Sequence, residues 1–332
     1  MEIFTLALQQ MMTMFILMAV GFILRKKELL PDNAGSMIAK LLTYVIAPAL
    51  LLNAQIKNCT PETFVKNADL LLYGLILTLA SIVVAYPLSR LFIRNHKESS
   101  ARTYQRNIYK YALAFANYGY VGDFIILGIF DDEVYFKYTL FKFFMNILCY
   151  GWGLFILIPK DKGASALQNL KKGLLTPPVI ACVLGIVLGL LGVRDYMPGF
   201  VMSALDSAGK CQGLSMVLAG FVVGNYSFKD MILNKKVYLA SLMRLIVLPA
   251  ALLGALVLLK PVLTTVTDPV VYDTVVLPFT LFAFAAPLGL NTIIYPATYG
   301  GDTKTGASMT MISSILAVVT LPLMYLLFVV IL

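Results

Sequence analysis

Ten apolar stretches, each long enough to cross the hydrocarbon of a bilayer, follow one another along this chain. They cover approximately residues 5 to 24, 33 to 55, 68 to 93, 107 to 130, 135 to 158, 174 to 192, 199 to 222, 237 to 259, 273 to 298 and 305 to 331. A helix needs about 20 mainly apolar residues to span ~30 Å of hydrocarbon. Lipid offers no partner to the free N–H and C=O groups of a loop or an open sheet edge. The fold class expected is therefore an all-α polytopic membrane protein with ten transmembrane helices. Of the 332 residues 60% are apolar and 13% charged, which leaves too few polar side chains to clothe a soluble domain of this size. Only Met1 and Glu2 precede the first stretch, and no small-residue cleavage site follows before Arg25-Lys26-Lys27, so it reads as a retained helix.

The net charge of +9 comes from bases in alternate short loops and not from one stripe, which argues against nucleic acid as a partner and for the lipid bilayer. Seventeen Lys and Arg lie in the loops of one side, against five on the other, Lys57, Lys66, Lys137, Arg194 and Lys260. The positive-inside bias places the seventeen in the cytoplasm and both termini outside a cell membrane. His96, the single histidine, sits in the basic connection from Arg94 to Arg106, so no His-rich metal site is expected. Cys59, Cys149, Cys182 and Cys211 are too scattered to suggest a disulfide framework. The chain is read as a non-enzyme without a metal or other cofactor.

Five spans precede the loop at 159 to 173 and five follow it. An odd number turns the second half upside down, so 1–158 and 174–332 are expected to be inverted repeats. Each half carries one interrupted span: Asn117-Tyr118-Gly119-Tyr120-Val121-Gly122-Asp123 in the first, and Ala286-Pro287-Leu288-Gly289-Leu290-Asn291 in the second. Gly119 lies 114 residues after position 5, and Gly289 lies 115 after position 174. Irregular backbone at membrane depth persists only where it is buried in protein or lines a polar cavity. Paired interruptions at matching depth point to a transporter whose substrate site is the interruption itself. Pro48, Pro87, Pro249 and Pro322 each remove one helical hydrogen bond and are expected to kink their spans without breaking them.

The candidate substrate-binding residues are Asn117, Tyr118, Gly119, Gly122, Asp123, Pro287, Leu288, Gly289 and Asn291. Asn117 and Asn291 each offer an amide that orients a carboxylate or, alternatively, satisfies carbonyls freed by the break. Half-helix N-termini add positive potential, which suits a small anion. Asp123 is a carboxylate inside a span and reads as a proton or ion carrier facing a cavity, or else as an interfacial neighbour of Asp131, Asp132 and Glu133. Coupling or supporting roles fall to Asp123, Asp206, Lys210, Gln212, Ser215, Arg244 and Asn53. Asp206 and Lys210, spaced i, i+4, are expected to neutralise each other in an internal pair, with Gln212 and Ser215 completing a polar wall. Arg244 is either a substrate counter-charge or, as the reading preferred from its place in the span, a snorkelling cation. Asn146 is a lesser candidate, and Lys142 is expected to pair with the acids at 131 to 133.

Several stretches resemble the auxin efflux carrier family, which includes plant auxin exporters and bacterial malate permeases. The last two spans carry it best: Ala286-Pro287, Asn291, Ala297-Thr298-Tyr299-Gly300-Gly301-Asp302, Ser313-Ser314 and Thr320-Leu321-Pro322. Gly21-Phe22-Ile23-Leu24-Arg25-Lys26, Pro48-Ala49-Leu50, Asn117 to Gly122, Arg244-Leu245 and Leu248-Pro249 extend it over nearly the whole chain. Phe124 stands where a proline is expected, Gly213 where span seven usually has another, and Asp123 is an added acid. The resemblance implies a ten-helix fold, related to bile-acid sodium symporters, in which helices 4 and 9 cross at the substrate site. It also implies a scaffold of spans 1, 2, 6 and 7, a possible homodimer through that scaffold, and a moving unit of spans 3–5 and 8–10.

The function expected is a secondary carrier of a small organic anion, a carboxylate or dicarboxylate such as malate, coupled to H+, to Na+ or to neither. A sodium-coupled organic anion symporter is the alternative, because carbonyls freed at the breaks are potential Na+ ligands. An intramembrane aspartyl protease is remote: Gly122-Asp123 and Tyr272-Asp273 match its motifs only superficially, and Tyr120 stands where glycine is needed.

Overall fold

The computed structural model describes residues 2–94, 99–158, 167–168, 171, 174–299 and 301–331. His96, Lys97, Gly300 and most of the loop at 159 to 173, including Lys160, Lys162 and Lys172, lie outside the described residues. Within them the chain is helical throughout, and the only β feature is one isolated bridge. Thr5–Lys26, Ala34–Asn58, Pro61–Phe92, Lys235–Leu263 and Lys304–Val330 are each long and apolar enough to cross a membrane. Asp132–Phe141 and Phe143–Leu157 make a sixth such span if joined across the turn at Lys142, and Tyr118–Ile129, Pro177–Leu190 and Pro269–Phe284 are shorter apolar helices. The chain is a multi-pass membrane protein.

Local chemistry sets several of these boundaries. Thr60 and Thr63 close a capping box at the start of Pro61–Asn67. The Asp131 and Asp268 carboxylates accept the N–H groups of Val134 (2.9 Å) and Val270 (2.7 Å), capping the helices that follow. Three prolines sit just beyond a widened turn: Pro48 after Leu42–Ile46, Pro249 after Met243–Val247 and Pro278 after Tyr272–Val276, all π-helical. The ring of a helical proline strikes the carbonyl four residues back, and those carbonyls, on Tyr44, Leu245 and Thr274, lie within the widened turns. The π-turn thus makes room for the ring and lets the helix continue. Pro87 and Pro322 are carried inside continuous helices.

The first helix packs backbone to backbone along Leu214–Gly224. A side chain on Gly21 would strike the Val217 carbonyl, and one on Gly220 would strike the Met18 carbonyl. Small residues let backbones touch where lipid supplies no hydrophobic drive for association. Ala47–Asn58 packs along both Pro177–Leu190 and Gly199–Gly209.

Candidate functional site

Two stretches of irregular backbone lie within apolar runs of the described residues. Ser100–Ala114 ends at Phe115, which is extended (φ −123°, ψ 125°), and winding resumes as a π-turn over Tyr118–Gly122 that runs into Asp123–Ile129. Pro269–Phe284 ends before an irregular stretch at 285–290, and Asn291–Tyr299 follows. The two stretches meet. Ala116 and Leu288 form an antiparallel bridge, and the Asn117 N–H donates to the Pro287 carbonyl at 2.7 Å. The Leu288 N–H donates to Ser313 Oγ (3.0 Å) and the Thr292 hydroxyl to the Gly289 carbonyl (2.8 Å). One backbone hydrogen bond thus joins the two interruptions, and the Ser313 and Thr292 hydroxyls take two more of the released groups, as burial requires.

The first interruption lies at 115–117, ahead of the expected 117 to 123. Gly119 and Gly122 are wound into the π-turn, so Asp123 does not follow an opening. Extended residues are needed where the partner backbone pairs, opposite 287–288, and the glycines serve otherwise. A Cβ on Gly122 would collide with the hydroxyl of Tyr138, which donates to the Tyr118 carbonyl at 3.2 Å. Gly119 faces open space.

A cavity borders the meeting point, lined by Asn117 to Tyr120, Asp123, Lys142, Asn146, Gly289 and Asn291, among others. It leaves ≈ 50 Å³ for the centres of water-sized molecules, room for a few waters. The first turn of one half-helix, Tyr118 to Tyr120, and the first residue of the other, Asn291, line it, and the N-terminal end of a helix carries positive potential. The Asn117 side chain is 5% exposed and has no hydrogen-bond partner among the described residues. The Asn291 amide donates to the Tyr111 hydroxyl at 2.8 Å and lies 3.6 Å from Cys149 Sγ, which is hydrogen-bonded to Tyr111.

Asp123 and Lys142 form an ion pair on the cavity wall, both buried. Asp123 is therefore enclosed by the protein, and Lys142 does not serve the acids at 131 to 133. Those have other partners: Lys57 for Asp132 (3.2 Å) and Lys137 for Glu133 (2.8 Å), while Asp131 caps a helix. The Lys142 ammonium also lies 5.3 and 5.2 Å from the ring centres of Tyr135 and Tyr138, so the cation is enclosed by a carboxylate and two aromatic faces.

The chain matches the family described as membrane transport protein over residues 6–325. It belongs to the auxin efflux carrier family. No curated protein compared with it matches. Members of this family are membrane transporters, and here Asp123 and Asp273 are each held by a different lysine, Lys142 and Lys260.

The structure of this auxin efflux carrier family member separates the remaining expected residues. Pro287 and Leu288 contribute backbone groups to the meeting of the two stretches and do not line the cavity. Gln212 donates to the Gly119 carbonyl at 3.3 Å, and the Ser215 hydroxyl donates to the Gln212 carbonyl at 2.7 Å. Beyond Gln212 lies a second, wider cleft bordered by Asn53, Phe124, Asp132, Asp206 and Lys210. Asp206 pairs with Lys210 (2.6 Å) and Lys57 (3.5 Å) and meets the Asn53 amide at 3.4 Å. The Asp206–Lys210 pair is not internal as expected: the Lys210 side chain is 76% exposed.

Arg244 does not snorkel. It is fully buried, and one of its terminal nitrogens donates to the carbonyls of Leu113 (2.9 Å) and Ala114 (3.5 Å) and to Ser81 Oγ (3.3 Å). Its guanidinium lies 5.4 Å from the ring centre of Phe284, so it touches the last turns of both helices that end at the interruptions. The sequence reading missed Thr43, Tyr111, Cys149 and Tyr150 around the cavity. A hydroxyl or thiol within an apolar run carries no signal beyond its own polarity, so nothing in the sequence marked them.

Proposed function

We propose that this protein is a secondary carrier of a small organic anion, a carboxylate or dicarboxylate such as malate, which it binds where the two interrupted helices meet. The observation that carries this is the pairing of Asn117 with Pro287 beside a buried cavity that receives two helix N-termini and the unpartnered Asn117 amide. N–H dipoles and amides stabilise a carboxylate without a net fixed charge. Lys142, already neutralised by Asp123, adds a cation whose availability depends on that carboxylate.

In this reading the chain is a ten-helix inverted repeat, 1–158 and 174–332, with helices 4 and 9 crossing at the site. Spans 1, 2, 6 and 7 form a scaffold, through which two copies pair as a homodimer, and spans 3–5 and 8–10 move against it. The glycine contact of the first helix with Leu214–Gly224 and the packing of Ala47–Asn58 on Pro177–Leu190 support a rigid scaffold. The cavity is too small for a dicarboxylate, so loading requires the two units to separate, as alternating access demands. The protein lies in the cell membrane with both termini extracytoplasmic.

Uptake of labelled malate and related acids into proteoliposomes tests this. Asn117→Ala and Asn291→Ala are expected to lower uptake at least about tenfold, because a lost hydrogen bond to a charged ligand costs about 1.5–3 kcal/mol. Undiminished uptake by both variants would remove the site.

A further inference from the structure

An interrupted helix has two kinds of ends, and this protein treats them differently. The N-terminal ends face the cavity, where they favour an anion. The C-terminal ends leave carbonyls without helical donors and carry negative partial charge. In hydrocarbon those carbonyls must be met by hydrogen-bond donors or by a cation, and a cation is either a mobile ion admitted from solution or a side chain fixed in place.

Arg244 meets this need from within the chain. Its nitrogen takes the Leu113 and Ala114 carbonyls, which the Ser81 hydroxyl also reaches, at 3.4 and 3.0 Å. Phe284, the last residue of the second helix that ends here, presents its ring to the same guanidinium. Arg244 is the largest fully buried side chain, and its Nε and second terminal nitrogen have no hydrogen-bond partner among the described residues. A guanidinium keeps its charge at any physiological pH. None of the ion pairs among the described residues supplies it with a carboxylate, so the helix ends and the aromatic face are what balance it.

We propose that Arg244 is a tethered cation in the seat that a coupling Na+ would take at the C-terminal carbonyls of the first interrupted helix, and that it makes the carrier independent of sodium. Arg244 is a positioning residue in this account: it holds the ends of the two helices together and does not touch the substrate. The inference rests on the carrier reading for its consequence in transport, but its electrostatic content is testable without any substrate.

The test pairs melting of the purified protein in NaCl, KCl and choline chloride with anion uptake in the same salts. The wild type is expected to melt within about 1 °C in all three salts, since a site already filled gains nothing from added ligand. Its uptake is expected to change less than about twofold when choline replaces Na+. Arg244→Ser frees the carbonyls, so Na+ is expected to raise its melting temperature by several degrees over choline, in the manner of a ligand bound only by the folded state. A purely structural role for Arg244 would lower stability equally in every salt. Arg244→Lys keeps the charge and is expected to stay indifferent to sodium.

Sodium-specific stabilisation of the wild type, or uptake that requires Na+, overturns the proposal, and this arm stands even where Arg244→Ser does not fold. A folded Arg244→Ser protein indifferent to Na+ also overturns it. Absence of uptake by the wild type in every salt would instead strike the carrier reading, while the melting comparison would still decide the role of Arg244.

Discussion

Asp123 and Lys142 show how much a single residue's meaning depends on its partner. Each alone is an expensive charge within a span, and together they are a neutral unit on the wall of the cavity. Removing one partner of a buried pair strands the other and typically costs 3–5 kcal/mol, whereas replacing both with apolar or neutral groups is often harmless. Asp123→Asn or Lys142→Met alone is therefore expected to lower the melting temperature by roughly 6–10 °C, and the double variant to regain most of the loss. Melting in one detergent across the three variants checks this, and additive losses would show that the two residues do not depend on each other. Asp123 was legible as a special residue because a carboxylate in an apolar run stands out. Its partner was not, since Lys142 is nineteen positions away and the nearer acids at 131 to 133 competed for it.

At the level of elements, the decisive contacts are between backbones. Gly21 and Gly220 place the first helix and Leu214–Gly224 in direct contact, and Gly122 leaves the space that the Tyr138 hydroxyl fills. Gly220→Val would force the Met18 backbone away and is expected to cost several kcal/mol, read as a lower melting temperature and loss of a monodisperse peak on size exclusion. Gly119→Ala, which meets open space, is expected to leave melting unchanged within about 0.5 kcal/mol, and serves as the control. The sequence located the interruptions through Gly, Asn and Pro clusters. It misplaced the first by a few residues, because the backbone opens where the opposite segment pairs with it, at Ala116 and Asn117, and not where glycine permits it. The π-turns ahead of Pro48, Pro249 and Pro278 have the same character: proline marks the place, but only the wound helix shows how the ring is accommodated.

The whole molecule combines an apolar envelope with a polar interior whose parts come from distant sequence. In the proposed orientation Glu62 lies outside and Lys235 in the cytoplasm, and both are exposed. In a Cys211→Ser background, Glu62→Cys is expected to react with a membrane-impermeant maleimide on intact cells, and Lys235→Cys only after permeabilisation. The reverse pattern would invert the proposed orientation. On the Asp132 side, Lys57, Asp132, Asp206 and Lys210 join three helices through exposed ion pairs. Exposed pairs of this kind contribute about 0–1 kcal/mol each, so Lys57→Gln is expected to leave melting nearly unchanged. Its effect belongs to the rate at which the helices part, measured as uptake.

Apolar run length and the places where it is interrupted are properties of consecutive residues. Hydrocarbon enforces them directly, so the sequence by itself determined a helical membrane protein with two openings in its backbone. Which charged group meets which partner is settled only when separate helices pack. Arg244 reads from sequence as a cation near a membrane surface, and only folding brings it against Leu113, Ala114 and Phe284, at the ends of the two interrupted helices. Side-chain polarity states that a partner is needed, and tertiary packing alone decides which group answers.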